Sequence, residues 1–125
     1  MNAHEKINYV EFPASDLRAT KAFFEAAFGW SFVDYGPDYT AFSNEGLDGG
    51  FFKSDLAATT DSGSALIVFY SASLEETQQR IEAAGGRVVK PIIDFPGGRR
   101  FQFAEPSGNE LAVWSDRDAA GNSIS

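Results

Sequence analysis

Apolar and polar positions alternate along this chain in two rhythms. Residues 7–15, INYVEFPAS, alternate with period two and are rich in β-formers, so they predict a strand. Over residues 16–29, DLRATKAFFEAAFG, the period lengthens to that of a helix, with Leu17, Phe23, Phe24, Ala27 and Phe28 on one face. Asp16 stands where an N-cap is needed and Gly29 where the helix stops. Short strands are predicted at WSFVDY, YTAFSN and GGFFK, divided by turns that hold Gly, Asp and Pro. Residues 54–64, SDLAATTDSGS, have linker composition. The order then begins again. ALIVFYSA (65–72) predicts a strand and SLEETQQRIEAAG (73–85) a helix, with Ser73 and Glu76 spaced as a capping box. GRVVKP, RRFQFAE and NELAVWS predict the closing strands.

The two halves match in detail. EAAFGW (25–30) and EAAGGR (82–87) stand 57 residues apart, as do Asp16-Leu17 and Ser73-Leu74. The same offset pairs Val10 with Ile67 and Phe12 with Phe69 without a gap. Matching helix stops and strand phases point to a duplicated βαβββ unit. The expected fold is α+β, one domain over 1–125: a first module at 5–53, the linker at 54–64, a second module at 65–116 and a tail at 117–125.

Composition narrows the function. Hydrophobic content of 43%, with twelve Phe, is ample for a packed interior. Net charge is −8 and no basic cluster exceeds Arg99-Arg100, which argues against nucleic acid or an anionic membrane as partner. The absence of Cys excludes disulfides, thiolate metal sites and Cys nucleophiles, and one His cannot serve a Ser/His/Asp triad. No apolar run approaches the roughly 20 residues of a membrane span. The opening MNAHEK lacks the apolar core of a signal peptide, so a cytoplasmic protein is expected.

YVEFPASDLRATKAFFEAAFGW, followed by GGRVVKP and FAEPSGNELAVW, resembles the vicinal oxygen chelate superfamily, the group of glyoxalase I, extradiol dioxygenases, fosfomycin-resistance enzymes and bleomycin-binding proteins. The resemblance covers residues 5 to 116. It implies paired βαβββ modules whose mixed sheet curls around a cleft, and a homodimer. In metal-dependent members each module offers ligands from mid-way along its first strand and from its last strand. Those positions fall on Tyr9 and Leu66, near Gly50, and on Ala112, and none is His, Glu, Gln or Asp. Gly49, Phe51 and Phe52 beside them are not ligands either. The single imidazole, His4, sits near the N-terminus and reads as a solvated side chain. No metal and no other cofactor is therefore expected, unless carboxylates gather at other positions.

If Tyr9 faces the cleft, Ile7 and Glu11 share its face, and Val10 and Phe12 pack under the helix. By the same alternation Leu66, Val68 and Tyr70, then Arg100, Gln102 and Ala104, then Glu110, Ala112 and Trp114 line the cleft. Such a wall, aromatic and apolar with a few polar groups, suits a small-molecule pocket. Glu11 and Glu110 are the candidate catalytic carboxylates, Glu11 as a buried base of raised pKa or as half of a salt bridge. Arg100 either pairs with Glu110 across the strands or receives an anion. Gln102 is a hydrogen-bonding wall residue, and Tyr9 and Trp114 either stack on a flat ligand or pack on the sheet. Phe51, with Phe52, forms a pocket floor or a dimer seam. PGGRR (96–100) is a strand-entry turn, or a mobile lip that sets Arg99 beside the ligand. Three functions follow: a metal-independent binding protein that sequesters an aromatic or amphipathic molecule, a lyase- or isomerase-like enzyme using cleft carboxylates, and an interaction module with a vestigial cleft. The partners expected are a small-molecule ligand and a second copy of the chain.

Overall fold

A computed structural model describes residues 2–124. The first module runs β1 (Tyr9–Ala14), α1 (Leu17–Phe28), β2 (Val33–Asp34), β3 (Tyr39–Glu45) and β4 (Leu47–Lys53). The second repeats the order as β5 (Val68–Tyr70), α2 (Leu74–Ala83), β6 (Arg87–Phe95), β7 (Gly98–Ala104) and β8 (Glu110–Ser115). Each module is a four-stranded mixed sheet, in the orders β1-β4-β3-β2 and β5-β8-β7-β6. In both, the last strand lies parallel beside the first, so Glu11 sits next to Gly50 and Val68 next to Ala112. The duplicated βαβββ architecture and the α+β class are as the repeat predicts.

Local chemistry explains the helix ends. The Asp16 carboxylate accepts from the Ala19 amide at 3.0 Å, and Gly29 takes the left-handed conformation, φ +72°, that ends α1. The capping box predicted for α2 does not form, because the Ser73 side chain makes no cap bond. The Ser71 hydroxyl instead accepts from the Ser73 amide at 3.0 Å and bonds the Thr77 hydroxyl at 2.7 Å. Two predicted strands shrink. WSFVDY keeps only Val33–Asp34, and ALIVFYSA keeps only Val68–Tyr70. Both lie at sheet edges, where pairing partners exist on one side alone.

The modules join through one aromatic interior. Phe28 stacks on Phe69 with centroids 4.5 Å apart, and Phe23 packs on Phe103 at 5.8 Å. Such pairs contribute about 0.5–1.5 kcal/mol each beyond the area they bury. A polar joint adds to this. Asn109, in the turn between β7 and β8, donates to the Pro13 carbonyl and to Glu105, both at 2.6 Å, and accepts from the Ala58 amide at 2.8 Å. Glu105 also accepts from the Thr20 hydroxyl at 2.7 Å and the Ser107 amide at 2.8 Å. The EPSGN turn thus fastens the second module to the start of α1. Ala58 accepts from the Glu110 amide at 2.9 Å, so the 54–64 segment runs beside β8. No helix among the described residues is long and apolar enough to cross a membrane.

Candidate functional site

On the first sheet, Val10 and Phe12 turn to α1 and leave Tyr9 and Glu11 on the open face. Tyr39 of β3 joins them. Its hydroxyl lies 2.6 Å from that of Tyr9 and donates to the Glu11 carboxylate at 2.9 Å. Burial, then the hydrogen bonds to Tyr9 and Glu11, push the Tyr39 phenol far above the usual tyrosine range, so it stays a donor. The ring crosses Gly50 so closely that a Cβ there would lie 2.1 Å from the Tyr39 hydroxyl oxygen. Any side chain at position 50 therefore has to displace Tyr39. Glu11 itself is exposed, not buried as expected. No Lys or Arg among the described residues pairs with it either. Tyr39 escaped the sequence reading because its place depends on β3 pairing with the glycines of β4. The signal was present, in a tyrosine at the head of one strand and a Gly-Gly pair in the next.

On the second sheet, register sets Arg100 beside Trp114, Gln102 beside Ala112 and Ala104 beside Glu110. Arg100 and Glu110 are thus too far along the strands to pair directly. Gln102 links them, accepting from Arg100 at 3.0 Å and donating to Glu110. The other Glu110 oxygen accepts from the Thr60 amide at 2.7 Å and the Thr60 hydroxyl at 2.9 Å. Burial pushes this carboxyl up, but the Thr60 and Gln102 donors outweigh it and hold it below the usual range. Glu110 is therefore an ionised acceptor that anchors the 54–64 segment. Trp114 meets Tyr70 edge to face, with centroids 5.3 Å apart, and Phe95 at 6.4 Å. Tyr70 is 51% exposed and Val68 43% exposed, so this end of the sheet is open and aromatic.

Two expectations fail. Phe51 is wholly buried, stacked against Phe12 at 5.4 Å and packed on Phe24 at 5.4 Å, so it is neither pocket floor nor seam. Parallel pairing of Phe12 with Phe51 puts both on the helix-covered face. Arg99 does not form a lip. It shares its face with Phe101 and Phe103, grips Glu75 of α2 through two bonds of 2.5 and 3.1 Å, and donates to the Arg117 carbonyl. Gly98 beside it is packed so that a Cβ would lie 2.6 Å from the Ser115 carbonyl oxygen, which fixes the turn.

The predicted cleft residues thus fall into two sets. Tyr9 and Glu11, joined by the unforeseen Tyr39, form one; Arg100, Gln102, Glu110, Tyr70 and Trp114 form the other. The ring and hydrogen-bond contacts between modules run through α1, the residues flanking it and the EPSGN turn. Leu66, half-buried, borders a separate cavity of about 550 Å³ between the edge strands β1 and β5. Its walls include Phe12, Trp30, Phe42 and Phe69, which lie behind Tyr9 and Glu11 rather than beside them. Among the described residues no three His, Cys, Asp or Glu side chains gather as metal ligands would.

Solved structures share this architecture. A glyoxalase-related enzyme from Fulvimarina pelagi superposes with a TM-score of 0.71 at 20% identity, over 97% of each chain. The fosfomycin resistance protein FosX from Listeria monocytogenes gives 0.73 at 21% identity, over 90% of this chain and 94% of that one. Lactoylglutathione lyase from Agrobacterium tumefaciens gives 0.67 at 22%, over 91% and 96%. In sequence, the chain is 30% identical over 117 residues to the anthracycline biosynthesis protein DauV of a Streptomyces species. That match takes in 79% of this chain and 42% of DauV, so the chain spans less than half the length of this relative. A sequence model of one family matches residues 6–113, which include nearly all of the first module, most of the second, the EPSGN turn and the first four residues of β8. With two βαβββ sheets ordered alike and a match of that extent, the chain belongs to the Glyoxalase/Bleomycin resistance protein/Dioxygenase superfamily.

Proposed function

We propose that this protein binds a flat aromatic or amphipathic molecule on its open sheet faces, without a divalent metal at the strand positions that relatives use. The observation that carries this reading is the composition of the two faces. One offers Tyr9 and the Tyr39–Glu11 pair, the other the exposed ring of Tyr70 and the half-buried ring of Trp114 with Arg100 beside them. Aromatic surfaces with a few fixed polar groups are what such ligands bind. The positions equivalent to metal ligands do not fit an ion. Gly50 and Ala112 carry no donor, and the ring of Tyr39 occupies the space beside Gly50.

Each face is half of a site. A second copy that sets the first sheet of one protomer against the second sheet of its partner would enclose a ligand between them. Sedimentation at micromolar concentration is expected to give twice the 13.6 kDa chain mass. A monomer under those conditions would refute this part of the reading. The similarity to an anthracycline biosynthesis protein suggests a polycyclic aromatic ligand. Titration with an anthracycline aglycone is expected to quench Trp114 saturably, and Tyr9→Ala to weaken binding at least tenfold. Equal affinity in the wild type and Tyr9→Ala would sink the proposal, and stoichiometric bound metal would sink its metal-free part.

A second reading, acid–base catalysis on the first sheet, draws on the Tyr9–Tyr39–Glu11 chain of hydrogen bonds. A carboxylate positioned by a phenol's hydrogen bond can take a proton from a bound substrate and return it at another atom, the phenol remaining a donor throughout. Exchange of an acidic substrate C–H with deuterium, lost in Glu11→Gln, is the measurement that would support it.

A further inference from the structure

The two modules close differently, and the difference leaves a cavity. Register makes Gly50 equivalent to Ala112, and therefore Gly46 equivalent to Gly108. Both glycines turn with positive φ, +92° and +93°. In the second module this turn carries Glu105, Ser107 and Asn109, which reach Thr20 and Pro13 and shut the gap between modules. The first module has Ser43, Glu45 and Leu47 at those places, and Thr77 where Thr20 would be. Thr77 bonds Ser71 instead, at 2.7 Å, and no polar joint forms on this side among the described residues. Leu47 and Tyr70, which stand for Asn109 and Pro13, instead border the mouth of the cavity of about 550 Å³.

We propose that this cavity is a second ligand site, distinct from the open sheet faces, for an uncharged molecule with fused or linked aromatic rings. Its volume falls within the about 300–1,000 Å³ of small-molecule sites. Phe12, Phe42 and Phe69 with Trp30 supply ring faces, and Val10 and Ile67 fill between them. Among the described residues no basic side chain borders the cavity, and the chain carries a net charge of −8, so an anion is disfavoured. Glu45, at the end of β3, is the one ionisable carboxyl at its rim among the described residues, and burial pushes it up. The cavity lies on the far side of β1 from Tyr9 and Glu11 and meets the second open face only at Val68 and Tyr70, so changes at Ile67 or Leu47 test it apart from the open-face site.

The test uses 1-bromonaphthalene, a neutral flat molecule whose bromine quenches tryptophan only on contact. In a Trp114→Phe background Trp30 is the sole tryptophan, and the open-face site has lost its own. Saturable quenching of Trp30 at one molecule per chain is expected. Ile67→Phe, which narrows the interior, and Leu47→Phe, which narrows the mouth on an exposed turn, are each expected to weaken it at least tenfold. Leu47→Phe keeps the test usable if Ile67→Phe fails to fold. Quenching that does not saturate, or that survives both changes, overturns the proposal. Loss of quenching in step with dimer formation, followed by sedimentation, would identify a second copy as the occupant and overturn it as well.

Discussion

Replacing Asn109 with alanine removes the centre of the joint between modules. Its side chain is fully buried and serves three partners: the Ala58 amide, the Pro13 carbonyl and the second Glu105 oxygen. Truncation leaves those groups without that partner, and a buried polar group left unmet costs about 1–3 kcal/mol. Partial relaxation and water entry relieve some of this, so a loss of about 3–5 kcal/mol is expected from Asn109→Ala. Domains are stable by only about 5–15 kcal/mol, so the variant would sit near the edge of folding. At roughly 3–5 °C per kcal/mol for a chain of this size, its Tm should fall by about 10–20 °C. Urea and thermal unfolding, at one fixed protomer concentration, measure this directly. A second variant, Asn109→Asp, tests the electrostatics. Burial pushes the Glu105 carboxyl up, against the Ser107, Thr20 and Asn109 donors that hold it down. A carboxyl that titrates above its unfolded value contributes stability below about pH 4.5, and that stability is lost as pH rises through the folded pKa. Asn109→Asp removes a donor and adds a like charge, which raises Glu105 further. Its deficit should therefore be small near pH 4 and grow toward pH 7, while that of Asn109→Ala changes far less. A loss below about 1 kcal/mol in Asn109→Ala, or an Asn109→Asp deficit equal at both pH values, would refute the reasoning.

Gly50→Ala should cost about 1–3 kcal/mol, because its Cβ would meet the Tyr39 hydroxyl at 2.1 Å, and Tyr39→Ala should recover part of that loss. Independent, additive effects in a double-mutant cycle would contradict this contact. The Arg99 hydrogen bond, outweighing burial, holds the Glu75 carboxyl below its usual range, so its contribution is present above about pH 4.5 and lost as pH falls through the folded pKa. Glu75→Gln should therefore lose up to about 1 kcal/mol at neutral pH and match the wild type in acid, since the pair is partly solvent-screened. Glu110→Gln should loosen the 54–64 segment, read as faster hydrogen exchange at the Thr60 amide, and unchanged protection would argue against the anchor.

Patterns set by neighbours along the chain were legible, and those set by pairing across a sheet were not. Period-two alternation separated Tyr9 and Glu11 from Val10 and Phe12, because α1 covers one face of β1 and solvent the other. The Asp16 cap and the Gly29 stop act within a few residues of themselves, so they too could be read. Phe51 could not, because GGFFK has apolar groups on both faces and two glycines, which leaves alternation without a phase. Only the parallel pairing of Phe12 with Phe51 sets it. In RRFQFA the alternation did set Arg100 beside Gln102, but Arg99 was misread because its partner Glu75 lies 24 residues away on α2. Glu110 looked like a free cleft carboxylate because its partner Thr60 lies 50 residues away, in a stretch of linker composition. The capping box failed for a different reason. Its two residues stand at the right spacing, but Ser71 two residues upstream already serves the helix start.

The unequal turns of the two modules also suggest how a duplicated fold acquires separate functions. One joint of the EPSGN kind, with the aromatic stack of Phe28 on Phe69, holds the modules together. The equivalent turn is then released from a structural role, and its polar set is replaced by Ser43, Glu45 and Leu47. If the cavity is the unfilled counterpart of the joint, restoring that set should close it. Ser43→Glu, Glu45→Ser and Leu47→Asn together place a carboxylate, a hydroxyl and an amide near Thr77, whose hydroxyl would have to leave Ser71. The triple variant should fold, lose the quenching of Trp30 by 1-bromonaphthalene, and gain protection from hydrogen exchange in the Asn44–Leu47 turn. Leu47→Asn alone should destabilise, because the amide would enter an apolar mouth without its carboxylate partner. If the triple variant keeps the wild-type quenching and an unprotected turn, the cavity is not a missing joint. Its volume would then have to be explained by the packing of Trp30 against Phe24 and Phe42.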